Sequence, residues 1–273
     1  MPNYVYALLV IIGAVAFGVL LIFLFTKISK KKLSVGKKIV TMMLSIILIT
    51  TLSFTIYVNI YYHATSEVEP YLKSNENVKV EEKSYGYLFD GKDASVAIAF
   101  YPGAKVESKS YAALAFMLAD RLGADVYLFN ATFHIPFFSL NAADNIVTSQ
   151  YEYVYMMGHS LGGAVATDYA NKHLDSVDGI IYLASYAKSR LKKDFAVLSI
   201  VASNDKVINW SDHDKATDEY YKKYTEIMIM GGNHSQFGYY GHQSGDGEAT
   251  ITASEQHQQI VDAITNFIYP DVD

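Results

Sequence analysis

One serine, Ser160, stands in the string Gly158-His159-Ser160-Leu161-Gly162, followed by Gly163. Before it runs "YEYVYMM", which reads as a strand, and after it come small helix-forming residues. A strand that turns tightly into a helix exposes the turn's side chain at the helix N-terminus, where backbone N–H groups favour negative charge. Glycines on either side let the two segments approach closely, so Ser160 is a candidate nucleophile. A serine hydroxyl needs a base to take its proton, and the base needs an acid to orient it. "AVLSIVASNDKV" places Asp205 just past one apolar run, and "TEIMIMGGNHSQF" places His234 just past the next. That set suits nucleophilic attack on a carbonyl with a covalent intermediate.

Those residues need a scaffold that brings several strand ends to one edge. From Val78 the pattern alternates: "SVAIAFYPG" as a buried strand, "KSYAALAFMLADRLG" as a helix ending at Gly123, "DVYLFN" as a short strand, and "NAADNIVTSQ" as a weaker helix. The elbow strand and a helix from Leu161 to His173 follow. Then come "VDGIIYLAS", "AVLSIVAS", a polar helix "WSDHDKATDEYYKKY", "TEIMIM", and a last helix "SEQHQQIVDAITNFI" headed by a Thr252/Glu255 capping box. Continuous apolar strands alternating with helices predict an α/β fold, a mostly parallel sheet covered on both faces.

Taken in order and on these elements, "GHSLGG", "SND" and "GGNHSQFG" resemble the α/β-hydrolase superfamily, and most of all its small, lidless, dienelactone-hydrolase-like branch. The resemblance covers residues 78 to 268. It implies Ser160, Asp205 and His234 as a catalytic triad, with no cofactor and no metal. It also implies an oxyanion hole made by the Leu161 amide and a donor from the loop after "SVAIAF". That loop often reads His-Gly in the family and here reads Tyr101-Pro102-Gly103-Ala104. Proline has no N–H, which leaves Gly103 or Ala104. Phe137 and Phe138 in "FHIPFFSL" are candidates for an acyl wall, and His242 in "YYGHQSGDGE" for a substrate contact. His159 is expected to point away from a base position. His173, His213 and His257 are expected to be solvated, Asp212 and Asp214 to favour a helix start, and Asp246 to form a turn. Only "YAKSRLKKD" separates two strands where relatives insert a lid, so an open pocket for small or flexible esters is expected.

Two apolar runs precede this domain. Residues 1 to 26 carry no charge, and a 22-residue helix of about 33 Å crosses a hydrocarbon core. The run from 39 to 62 is also charge-free and ends in tyrosines. The first run lacks the positive start and the short apolar core of a secretory signal, and the second, though lysines precede it, shows no small-x-small cleavage pattern before "HATSEVEP", so residues 1–62 are expected to form a hairpin of two transmembrane helices, about 4–26 and 39–62. Between them, residues 27–38 hold six lysines and no acid, which keeps that loop cytoplasmic and the rest outside. The chain carries −6 and these six lysines are the only charges in its first 62 residues, so the remainder carries −12. An acidic remainder argues against nucleic acid as partner. The absence of cysteine excludes disulfides and thiol nucleophiles. Residues 63–77, polar and without periodicity, read as a linker, and 78–273 as the hydrolase domain.

The expectation is therefore a serine hydrolase of carboxylesterase type, anchored in the cell membrane with its catalytic domain extracytoplasmic. Acyl transfer through the same triad, or a binding module on a hydrolase fold, are the alternatives.

Overall fold

A computed structural model describes residues 3–270 and divides the chain into two compact units, 1–60 and 61–273. The first consists of α1 (Asn3–Ser29) and α2 (Val35–Asn59). Both hold stretches long and apolar enough to cross a membrane, with mean hydropathies of 3.1 and 2.2. The hydroxyls of α2 do not weaken this reading: Thr41, Ser45 and Thr50 donate to carbonyls four residues back at 2.7–2.9 Å. The helical turn is tighter than the sequence suggests. Lys27 lies on α1, Lys37 and Lys38 lie on α2, and Ser34 caps α2 by accepting from Lys37 N–H.

The second unit is built on one eight-stranded sheet, in the order β1-β2-β4-β3-β5-β6-β7-β8. Its strands are β1 (Val78–Lys83), β2 (Gly86–Gly91), β3 (Val96–Tyr101), β4 (Asp125–Phe129), β5 (Tyr153–His159), β6 (Gly179–Leu183), β7 (Ala196–Ala202) and β8 (Lys223–Ile229). β1 and β2 pair antiparallel at one edge, and every pair from β4 to β8 is parallel. Strands β3 and β6 are buried at every position, as central parallel strands must be. One apolar core joins the sheet to α3 (Ala112–Leu122) and α6 (Ala253–Ile268), through Leu114, Leu118, Ile260 and Ile264. A second core on the opposite face holds Val165, Ala166 and Tyr169 of α4 (Leu161–Ala170). The remaining helix, α5 (Trp210–Tyr220), links β7 to β8.

Three expectations change. Residues 142–150 form two short 3₁₀ turns and no α-helix. Asn145 Nδ2 donates to the Ala142 carbonyl there, the local competition that keeps such residues out of helices. The 63–77 segment is not a free linker. It contains a 3₁₀ helix (Ser66–Leu72) that buries Val68 completely, sets Tyr71 edge-on against Phe116, and bonds Thr65 N–H to the Tyr239 carbonyl.

Third, His213 and His257 are buried at 3% and 0% exposure, where solvated rings were expected. Burial pushes His257 down to about 4. A histidine held neutral in the fold costs nothing above pH 6.5, but below it the unfolded chain binds a proton that the folded one does not. Stability should therefore fall between pH 6.5 and about 4, by up to about 3 kcal/mol. His213 is raised overall: burial opposes its charge, but Glu226 and Asp214 outweigh it, so its contribution is lost only above pH 6.5. Denaturant titrations of His257→Gln should show a flattened acid slope with the limb above pH 6.5 intact. An unchanged acid slope would remove His257 as its source.

Candidate functional site

Four loops meet at the carboxyl edge of the parallel strands. They follow β3, β5, β7 and β8, whose ends the register brings within about two residues of one another, with β6 between β5 and β7: Tyr101 with Gly158, His159 with Leu183, Leu183 with Ile200, and Ala202 with Ile229. Ser160 sits between β5 and α4 with φ +50 and ψ −122, a conformation that L-residues avoid. Its N–H donates to the Leu183 carbonyl at 2.9 Å, and its own carbonyl accepts from Ser185 Oγ at 2.5 Å. The flanking glycines are required by contact. A Cβ at Gly158 would lie 2.3 Å from the Gly162 carbonyl carbon, and one at Gly162 would lie 2.3 Å from the Tyr101 oxygen.

Asp205 and His234 come together. His234 Nδ1 lies 2.7 Å from Asp205 Oδ2, and the two residues are 1% and 3% exposed respectively. The other carboxylate oxygen accepts from Val207 N–H at 2.8 Å and Ile208 N–H at 2.9 Å. Three donors thus fix the Asp205 carboxylate, and the carboxylate fixes the His234 ring. With Nδ1 occupied, Nε2 is the nitrogen left to act. His234 and Ser160 line one cavity of about 200 Å³, floored by Leu161, Ala164, Val207 and Ile208.

Sequence reasoning missed two supports. Asp246, expected as a turn residue, bridges the loops that carry Asp205 and His234. Its Oδ2 accepts from Ser235 N–H (2.8 Å) and Ser235 Oγ (2.6 Å), and its Oδ1 from Lys206 N–H (3.3 Å) and Gly247 N–H (2.8 Å). Tyr111 is the second. Its buried hydroxyl accepts from Gly103 N–H at 3.1 Å and lies 2.8 Å from His159 Nδ1. His159 is buried beside the site, with its ring centroid 4.5 Å from that of His234. Burial, aided by the neighbouring His234, holds His159 well below the usual histidine range, so it stays neutral.

Other candidates fall elsewhere. Gly103 N–H is committed to Tyr111. Leu161 and Ala104 retain amides with no protein acceptor among the described residues. Phe137 and Phe138 are 43% and 56% exposed and do not line the Ser160 cavity. The 3₁₀ turn Pro136–Ser139 carries them on the surface. His242 lines a separate cavity of about 280 Å³ with Ser235 and Gln236. Its loop is turned away by the bond from Gln243 N–H to Ser235 Oγ.

Comparisons agree with this architecture. The fold matches a CIB-like hydrolase from Thermoplasma acidophilum at 18% identity and TM-score 0.50, covering 70% of this chain and 100% of that one. It matches a dienelactone hydrolase from Anabaena variabilis at 12% and 0.53, covering 70% and 99%. It also matches mouse alpha/beta hydrolase domain-containing protein 10 at 12% and 0.50, covering 70% and 98%. No curated protein matches the sequence significantly. The alpha/beta hydrolase family profile matches residues 97–258, more than half of the chain, and every strand-end loop described above lies within that stretch. The chain belongs to the alpha/beta hydrolase family.

Proposed function

We propose that this hydrolase is a serine carboxylesterase held in the cell membrane by α1 and α2, with its catalytic unit outside the cytoplasm. The observation that carries the chemistry is the shared cavity of Ser160 and His234, with the far nitrogen of His234 held by a buried, triply bonded Asp205. Ser160 Oγ attacks the ester carbonyl carbon while its proton passes to His234 Nε2. The oxyanion is received by the amides of Leu161 and Ala104, at the positive end of α4. Collapse of this intermediate breaks the bond to the alcohol, which leaves with the proton from His234. Water, deprotonated by the same nitrogen, then attacks the acyl-serine and releases the acid. A cavity of about 200 Å³ favours a short or flexible acyl group. The test is labelling by a fluorophosphonate probe in intact cells, followed by hydrolysis of short-chain aryl esters. Absence of both would remove the proposal.

The topology has its own test. The turn between α1 and α2 is flanked by six lysines and no acid, which holds it on the cytoplasmic side. Cysteine at Ser34 should resist a membrane-impermeant maleimide in intact cells, and cysteine at Ser74, exposed on the catalytic unit, should react. The chain has no native cysteine to give background. The opposite labelling pattern would put the catalytic unit in the cytoplasm.

A further inference from the structure

We propose that residues 133–139 form an aromatic foot that rests in the headgroup layer of the bilayer holding α1 and α2, seating the catalytic edge on a lipid surface. This rests on the reading of those helices as membrane spans. The exposed phenylalanines described in the catalytic unit are gathered here: Phe133, Phe137 and Phe138, at 49%, 43% and 56% exposure. Phe133 packs edge-on against Phe138, with ring centroids 5.7 Å apart. Phe133 and His134 both take positive φ, +57 and +55, in a region that non-glycine residues occupy only at a cost. A strained loop that leaves the rings of Phe137 and Phe138 so exposed is unfavourable for a unit standing free in solvent, and suits one lying against an apolar surface.

The length of the tether selects that surface. The last helical residue of α2 is Asn59, and Tyr61, two residues on, already stacks on His134 with ring centroids 3.6 Å apart. Tyr62 N–H donates to the Lys105 carbonyl at 2.7 Å, and Lys105 N–H to the His134 carbonyl at 2.7 Å. Two Cα steps span at most about 8 Å, so the loop bearing His134 stays within a short reach of the end of the span. A 25-residue helix is about 38 Å long, more than the hydrocarbon core of about 30 Å, which puts its end among the headgroups. The Pro136–Ser139 turn also packs against α4, whose first residue follows Ser160. The foot thus joins the lipid surface to the helix that carries the elbow.

The test uses the full chain in lipid nanodiscs, with single cysteines carrying a bimane fluorophore at Phe137, Phe138, Leu48 within α2, or exposed Lys215 on α5. Lipids brominated at shallow and deep acyl positions serve as quenchers. Labels at 137 and 138 should lose fluorescence to shallow bromines, the label at 48 to deep ones, and the label at 215 to neither. Quenching at 48 with none at 137 and 138 overturns the foot and leaves the spans standing. No quenching at 48 overturns the spans and the foot together. All labelled side chains are exposed, so the fold is expected to survive, and an unchanged fluorophosphonate reaction would confirm that.

Discussion

Ser160→Ala is expected to abolish fluorophosphonate capture and to cut ester turnover by at least ~10³-fold, while the thermal transition stays nearly where it was. Alanine keeps the backbone conformation and removes only the oxygen that attacks. His234→Ala and Asp205→Asn should each cost on the order of 10³-fold as well. For Asp205→Asn the reason is visible in the bonds. Oδ1 already serves two backbone donors, so an amide there would have to turn its NH₂ either toward His234 Nδ1 or against the N–H groups of Val207 and Ile208, donor facing donor. With the NH₂ toward the ring, Nδ1 must accept, the ring's proton moves to Nε2, and no base faces Ser160. The losses should not add in the Ser160→Ala/His234→Ala double variant, because the residues act on one proton. Turnover that survives His234→Ala but collapses in His242→Ala would overturn the assignment. So would a crippled His159→Gln with a functional His234→Ala.

The parts of this site that could be read from the sequence are those that follow a buried strand. Asp205 and His234 stand out because "AVLSIVAS" and "TEIMIM" must end somewhere, and the sheet's register brings those ends to one edge. Apolar runs bounded by glycine or polar residues carry that information locally. Tyr111 and Asp246 carry none of it. Tyr111 lies 48 residues from His159, and Asp246 lies 40 from Lys206. Each acts through a hydrogen bond that exists only once the chain has folded. The oxyanion loop shows the same limit: the missing N–H of Pro102 is legible, but the preference for Ala104 over Gly103 depends on where the Tyr111 hydroxyl lands. The 63–77 segment escaped because one buried valine and one tyrosine in a 3₁₀ helix leave no periodic pattern. His213 and His257 escaped because a histidine on a polar helix reads as solvated until its neighbours are known.

The elbow should give opposite results at Ser160 and at Gly162. Ser160 pays for its exposure with a backbone at φ +50 and ψ −122, and strain of this kind costs about 1–3 kcal/mol. Glycine takes that conformation freely, against an entropy cost of roughly 0.5–1 kcal/mol in the unfolded chain. Ser160→Gly should therefore be inactive but more stable, by about 1 kcal/mol, which for a unit of this size raises Tm by roughly 2–4 °C. Gly162→Val should do the reverse. Its Cβ would stand 2.3 Å from the Tyr101 oxygen and 2.5 Å from that of Pro102, both backbone atoms that cannot rotate aside. Either α4 lifts from β3, opening the core around Val165 and Ala166, or the loop after β3 moves and takes Ala104 with it. The cost should reach about 3 kcal/mol or more, with Tm lowered by at least ~6 °C. Turnover should fall even in the fraction that folds, because the Leu161 and Ala104 amides no longer converge. Thermal melts of the three variants beside the parent measure this directly. A Ser160→Gly protein no more stable than Ser160→Ala would mean that the turn stores no strain, and that close packing of the glycines alone sets the serine's position.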